Sequence, residues 1–257
     1  MTKYISIITL ALIALISWNC ATTVDTASMG DKARYNYADS IFKAETYDIA
    51  LKEYEAFLLQ FPGSEFVDDA QFAVGECHFA RKEFLLAAYD FSKLIKNMAS
   101  SPLVPNAQYK LAECYFELSP QFPLDQKYTR KGIEELQAFI DFFPTDPRVT
   151  GAEKQIKELY VKLAEKEFHN AQIYERMEYY SAAIQYYGKV VETYHDTKFA
   201  PIASYNKIKL LVLKKRNVEA LNEISGFLSK YSTNERINDV KEIKSQLTPK
   251  ESEKKAG

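Results

Sequence analysis

Glycine is scarce in this sequence, at eight of 257 residues, and alternating runs of Val, Ile and Thr are missing. With Ala, Leu, Glu, Lys and Tyr dominant, these absences argue against a sheet and for an all-α chain. Cysteine is nearly absent as well. Cys20, Cys77 and Cys114 are too few and too scattered for a disulfide framework, and no CxxC pair suggests zinc. Cys77 and Cys114 read as small buried residues. Charge of one sign is lacking too, with 33 basic residues against 35 acidic, so the composition offers nothing to nucleic acid. Catalysis has little support. His78, His169 and His195 fall in separate segments without a Ser/His/Asp or Cys/His arrangement, and glycine-rich phosphate loops are missing. The chain reads as a non-enzyme with no metal and no small-molecule cofactor.

What is there begins with an apolar run, Tyr4 to Ile16, preceded by one charge, Lys3, and followed by polar residues from Asn19. Thirteen helical residues rise only about 20 Å, short of a bilayer core of about 30 Å but suited to the h-region of an export signal over residues 1–19. Cys20 follows where a bacterial lipoprotein is cut and acylated, with Ser17 tolerable before it and Trp18 and Asn19 in place of the usual small residues. A covalent lipid on Cys20 would anchor the mature chain, since several acyl chains exceed the two-signal threshold for stable attachment. Ala21 is not the aspartate associated with inner-membrane retention, so the outer membrane is expected. Residues 20–30 are small, polar and unpatterned, as a flexible tether should be.

The remainder repeats. Tyr47, Ala50, Tyr54, Phe57 and Leu58 recur 37 residues later as Phe84, Ala87, Phe91, Leu94 and Ile95. The small position continues at Gly132, Ala183 and Ala220, giving steps of 37, 45, 51 and 37, two of which carry insertions of 8 and 14 residues. A small residue, a large apolar one four positions on and a proline eight beyond that match the second helix of a tetratricopeptide repeat. The small residue lets two helices approach closely and the large one fills the space between neighbouring repeats. Ala38, Gly75 and Ala112 mark first helices one period apart. The pattern predicts a right-handed solenoid of five helix pairs over residues 31–247, with repeats at about 31–67, 68–104, 105–147, 148–200 and 201–237. A last helix and a charged tail, 248–257, follow. The eight-residue insertion in ELSPQFPLDQKY contains Pro120 and Pro123 and predicts an extended loop. The fourteen-residue insertion predicts one long helix from Arg148 to Met177 that projects past the repeat body, where its apolar face either packs on the solenoid or serves as a docking ledge.

Around the small residues of the first helices stand Tyr35, Asp39, Phe42; Phe72, Glu76, Phe79; and Tyr109, Glu113, Phe116, an aromatic, acid, aromatic triplet on one helix face in each repeat. The leading aromatic continues at Phe168 and Tyr205, while the acid gives way to Gln172 and then Lys209. Such a face suits an extended peptide rich in aromatic side chains whose amides or basic groups meet the carboxylates, although packing of helix on helix accounts for any single aromatic equally well.

The segments LAEKEFHNAQIYERMEYYSAAIQYYGKVVETYHDTKFAPIA and FPGSEFVDDAQ, with the lipoprotein signal and five repeats, resemble the BamD/ComL family, lipoprotein subunits of the outer-membrane β-barrel assembly machinery. The resemblance spans Asp31 to Leu247. It implies a scaffold lipid-anchored to the outer membrane and facing the periplasm. The C-terminal repeats of such a scaffold hold the barrel-inserting subunit beside the complex's other lipoproteins, and its N-terminal repeats receive the aromatic-rich signals of unfolded barrel proteins. Phe168, Arg176, Tyr186 and Lys189 are the partner contacts expected on that basis. The weak lipobox and the fourth-repeat surface around Tyr186 and Lys189 depart from the family's pattern. The alternative from another class is a periplasmic tetratricopeptide adaptor lipoprotein that binds other peptides or cell-wall-associated proteins, since fold alone does not decide function.

Overall fold

The computed structural model describes residues 25–248; the export signal, Cys20 and residues 249–257 of the tail lie outside the described residues. Eleven helices and no strand occur among those described. They pair as α1 (Asp31–Lys43) with α2 (Tyr47–Gln60), α3 (Val67–Ala80) with α4 (Phe84–Asn97), α5 (Val104–Leu118) with α6 (Lys127–Phe142), α7 (Val149–Arg176) with α8 (Tyr180–Thr193), and α9 (Phe199–Leu213) with α10 (Asn217–Lys230), and α11 (Ile237–Leu247) closes the series. These are the five helix pairs and terminal helix of a tetratricopeptide-repeat protein.

The described chain divides into two compact units, one up to Ala70 and one from Gln71 onward, with the division inside α3. In the first, Ala38, Ala50 and Phe57 are fully buried and Tyr54 nearly so. Arg34 of α1 forms a buried ion pair with Glu53 of α2 at 2.5 Å. In the second, the small positions Ala87, Ala112, Ala183 and Ala220 are fully buried, and the large positions Phe91, Leu136, Tyr187 and Ile224 close over them. Each core joins a repeat to the first helix of the next, as Phe91 and Leu94 do with Leu111 and Cys114. That is the nearest-neighbour packing of a solenoid.

Two kinds of turn repeat with the helices. Within repeats one, two, four and five the chain leaves the first helix through a residue with positive φ, at Glu45, Lys82, Glu178 and Lys215. In repeat one the Thr46 N–H donates to the Ile41 carbonyl at 3.2 Å and the Glu45 N–H to Phe42 at 2.9 Å, and the same six-to-one and five-to-two bonds recur in the other three. This is the Schellman closure, which ordinarily places glycine at the left-handed position. Between repeats, Ser64, Ser101, Asp146, Thr197 and Asn234 each donate their N–H to the carbonyl three residues back. In four of these turns the side chain then accepts from the backbone two residues on, as Asp146 Oδ1 does from Arg148 at 2.9 Å and Asn234 Oδ1 from Arg236 at 3.0 Å. These Asx and Ser/Thr turns start each following helix in the absence of an N-cap side chain.

The third repeat lacks the tight turn because its insertion, residues 119–126, forms the expected loop. Gln126 is 1% exposed and organises it. Its Nε2 donates to the carbonyls of Gln121 at 2.9 Å and Leu124 at 3.0 Å. Its Oε1 accepts from the Thr129 hydroxyl at 2.7 Å. Because Thr129 spends its one proton there, the Ser119 hydroxyl, 2.7 Å away, must donate to Thr129 and in turn accept from Lys162 Nζ on α7, also at 2.7 Å. Lys166 on α7 donates to the Leu124 carbonyl at 2.6 Å, and the Phe122 ring stacks on His169 at 4.7 Å.

The two insertions thus pack on each other, and this corrects the expected overhang of α7. The N-terminal part of the helix places Ala152 and Leu159 in the core of Leu136 and Phe139. Its middle sets Leu163 and Ala164 against Tyr194. Its C-terminal part places Phe168 and Ala171 in the core of Ala183 and Tyr187. At 28 residues, or about 42 Å, it serves two successive repeats, and its apolar face is spent on their cores apart from the exposed Tyr160 and Ile173.

Gly75 permits the closest approach between α3 and α4, since a Cβ there would lie 2.6 Å from the ring of the fully buried Phe91. Gly75→Ala is expected to cost about 1–3 kcal/mol through overpacking. Lys82→Gly or Lys215→Gly, by relieving the left-handed residue, should add about 0.5–1 kcal/mol. Urea denaturation of the three variants checks both signs.

Candidate peptide-binding face

The aromatic, acid, aromatic triplets lie on their first helices as the spacing requires, and the aromatics are half-buried and packed. In the first unit Tyr35 stacks on Phe66 at 5.0 Å and meets Tyr54 and Phe57 at 5.9 Å, while Phe42 sits edge-on to Tyr47 at 5.4 Å. Burial, with help from Asp69, Asp39 and Asp68, pushes the Tyr35 hydroxyl up to about 12, so it is a neutral donor at any physiological pH. Asp39 pairs with Lys43 at 2.6 Å.

In the second unit Phe72 packs on Phe91 and Phe79 on Phe84, each at 5.3 Å. Tyr109 sits edge-on to Phe139 at 5.1 Å beneath the Arg148 guanidinium, 4.9 Å above its ring, and Phe116 flanks the same core. Between the two acids stands Lys110, which the spacing of triplets passed over. Its ammonium lies 3.4 Å from Glu76 and 3.3 Å from Glu113, and 4.4 Å over the Phe79 ring. The acidic line expected to await a ligand's basic groups is therefore already paired inside the protein. The signal for this was present in the sequence: Lys110 precedes Glu113 by three on one helix face. Burial still raises the Glu76 carboxyl despite Lys110, and both acids raise the Lys110 ammonium against its own burial. Burial also pushes the Cys114 thiol up to about 12, so this buried sulfur carries no thiolate chemistry.

Around repeat four the expected contact residues separate. Phe168, at 6% exposure, is core, in ring contact with Tyr187 and Phe199, and the expectation that it touches a partner is corrected. Arg176 is exposed in the last turn of α7. Tyr186 stacks flat on Tyr174 at 5.1 Å, and Lys189 holds Glu167 at 2.5 Å. Beside them Ile173, Met177, Tyr179 and, on repeat five, Leu213 are 45–59% exposed, an apolar edge that sequence periodicity did not single out.

No group of His, Cys, Asp and Glu among the described residues is placed to hold a metal, and no helix among them is long and apolar enough to cross a membrane. The model of the YfiO family, described as outer membrane lipoprotein, matches residues 27–225. The chain belongs to that family, the BamD/ComL lipoproteins. The YfiO match runs from four residues before α1 into α10. No curated protein is found to match the sequence. Among solved structures, a repeat protein of Bacteroides fragilis aligns at 16% identity over 86% of this chain and 98% of that one, with a TM-score of 0.46. A repeat protein of Thermus thermophilus aligns at 14% identity over 85% and 98%, TM-score 0.36, and the TPR2AB domain of yeast Sti1 in its pHSP90 complex at 12% over 85% and 98%, TM-score 0.39.

In this YfiO-family chain, Lys110→Met leaves Glu76 and Glu113 facing each other without a cation. It should cost about 1–3 kcal/mol at pH 7. Burial already raises the Glu76 carboxyl and Lys110 opposes that rise, so without the lysine Glu76 titrates further above its unfolded value and the deficit is present once it is charged. It should fade as pH falls below about 4. Urea denaturation at pH 7 and pH 4 checks the sign; an equal loss at both would contradict it.

Proposed function

We propose that the protein is a non-enzymatic scaffold of the outer-membrane protein assembly complex. It is anchored by a lipid on Cys20 and faces the periplasm. It holds the barrel-inserting subunit beside the complex's other lipoproteins and receives unfolded β-barrel proteins for insertion. The observation that carries this reading is membership of an outer membrane lipoprotein family over residues 27–225. Helix-pair repeats bind proteins through exposed faces.

The surface assigned to the barrel-inserting subunit is the edge made by Arg176, Met177, Tyr179 and Tyr186. An exposed methionine and two tyrosines beside an arginine are the residue types that dominate interface cores. Tyr186 is held ready for contact, because its stack on Tyr174 fixes the ring before any partner arrives.

Affinity capture of the acylated full-length protein from membranes tests the reading. The barrel-inserting subunit should co-purify, and Met177→Asp with Tyr179→Asp should lower its recovery at least tenfold. Recovery of cell-wall-associated proteins without that subunit would assign the adaptor role instead.

A further inference from the structure

The exposed face of α4 carries apolar residues and lysines but no acid. Leu85, Leu86 and Tyr89 are 53, 51 and 68% exposed, and Lys93 and Lys96 continue the stripe at steps of four and three residues. The acid of this helix, Asp90, is buried. Leu85 also lines a cavity of about 450 Å³, which it shares with Tyr115 of α5 and with Lys127, Tyr128, Arg130 and Lys131 at the start of α6. The two tyrosine rings stack at 6.2 Å. The acids nearby are already engaged: Glu134 and Glu135 meet Lys131 at 3.4 and 2.8 Å, and Asp125 accepts from the Lys127 backbone N–H at 2.8 Å. Lys93, Lys96, Lys127 and Arg130 are exposed and form no ion pair among the described residues.

We infer that the exposed face of α4 and the first turns of α6 form a contact surface for an anionic lipid bilayer. Leucines beside lysines, with tyrosine between them and no free acid, are the composition of an element that lies in the membrane interface. Leu85 and Leu86 reach the acyl boundary, Tyr89 sits at headgroup level, and the lysine and arginine stems extend to the phosphates. The cations stand on long exposed stems along two helices, an arrangement that suits a plane of charges more than one anion. A single soluble phosphate in the cavity would leave Leu86, Tyr89, Lys93 and Lys96 untouched. An acidic protein would meet the lysines but needs a matching apolar patch of its own, whereas a bilayer supplies charge and apolar depth together. Membership of an outer membrane lipoprotein family brings a lipid surface within reach. The inference goes beyond the scaffold reading, since it rests on that place at a membrane and on no partner. Its consequence is orientation. A tether alone leaves a domain free to turn, and this face would hold the second unit one way up on the bilayer.

The test uses the full-length acylated protein in lipid vesicles, with a nitrobenzoxadiazole probe on Tyr89→Cys; Cys77 and Cys114 are buried and stay unlabelled. With phosphatidylglycerol at about one lipid in three, the probe should brighten about twofold or more over phosphatidylcholine alone. Salt at about 0.5 M should reverse the gain. Lys93→Gln with Lys127→Gln and Arg130→Gln should abolish it, with circular dichroism unchanged, and the same probe on Lys230→Cys in repeat five should not respond. Equal brightness in the two kinds of vesicle, a gain that survives the triple substitution, or an equal gain from the repeat-five probe overturns the surface. Reversal by inorganic phosphate at constant ionic strength also overturns it, in favour of a single-phosphate pocket. Brightening in native membranes but not in lipid vesicles overturns it in favour of a protein partner. A probe that stays dim while capture of the barrel-inserting subunit is intact overturns the surface alone, and the reverse outcome overturns only the scaffold reading.

Discussion

The second unit depends on one helix being shared. In a regular solenoid each first helix packs between the second helices on either side within about one helix length. Here α7 is twice as long as its neighbours, and it reaches repeat four only after passing the whole of repeat three. A helix that long, with a buried face on two cores, needs support at the middle, where it changes partner. The loop of residues 119–126 supplies it. The hydrogen-bond chain from Lys162 through Ser119 and Thr129 to Gln126 runs in one direction and satisfies each hydroxyl as both donor and acceptor. Burial lowers the Lys162 ammonium, as expected of a charge held against loop carbonyls and hydroxyls instead of water. Two insertions that look independent in the sequence are one structural device, and it brings the Tyr174 and Tyr186 pair and the exposed edge of repeat four onto a rigid support.

The same logic explains the polar face of repeats two and three. Close helix approach at Gly75 and Ala112 draws Glu76 and Glu113 into partly dry surroundings. Carboxylates there must be neutralised or hydrogen-bonded. Lys110 serves both and lays its ammonium over Phe79, so the acids belong to the packing as much as to any ligand. Repeat five has no such closure. There Lys209 stands at the acid's position and lies over the Tyr205 ring, while Lys207 pairs with Glu223 at 2.8 Å.

Much of this was legible in the sequence. The series Ala50, Ala87, Gly132, Ala183 and Ala220, with steps of 37, 45, 51 and 37, located every second helix, because a small residue at a helix crossing is a steric requirement that the fold cannot waive. The prolines at 120 and 123 located the loop, and helical periodicity set α7 to within a residue of its ends. The overhang of α7 was misjudged because periodicity reports that a face is apolar and not what covers it. Phe168 was assigned to a partner from the family resemblance, which does not report that the ring is buried against Tyr187 and Phe199. Lys110 was passed over although Glu113, three residues on, was a visible partner, because its other contacts, Glu76 and Phe79, lie 34 and 31 positions back; Gln126 was missed because its role depends on a loop whose course is not encoded in spacing. The inter-repeat turns at Ser64, Ser101, Asp146, Thr197 and Asn234 do recur with steps of 37, 45, 51 and 37, and could have been read.

The most direct test of the shared-helix account is amide hydrogen exchange along α7 in the wild type and in Gln126→Ala. Removing the buried amide strands loop carbonyls and the Thr129 hydroxyl, a loss of about 1–3 kcal/mol. The account predicts that wild-type amides from Leu159 to Phe168 exchange as slowly as those in the core of α8. In Gln126→Ala they should exchange about ten to a hundred times faster, while α4 is unchanged. Fast exchange at the middle of α7 in the wild type, or protection there that ignores the substitution, would contradict it.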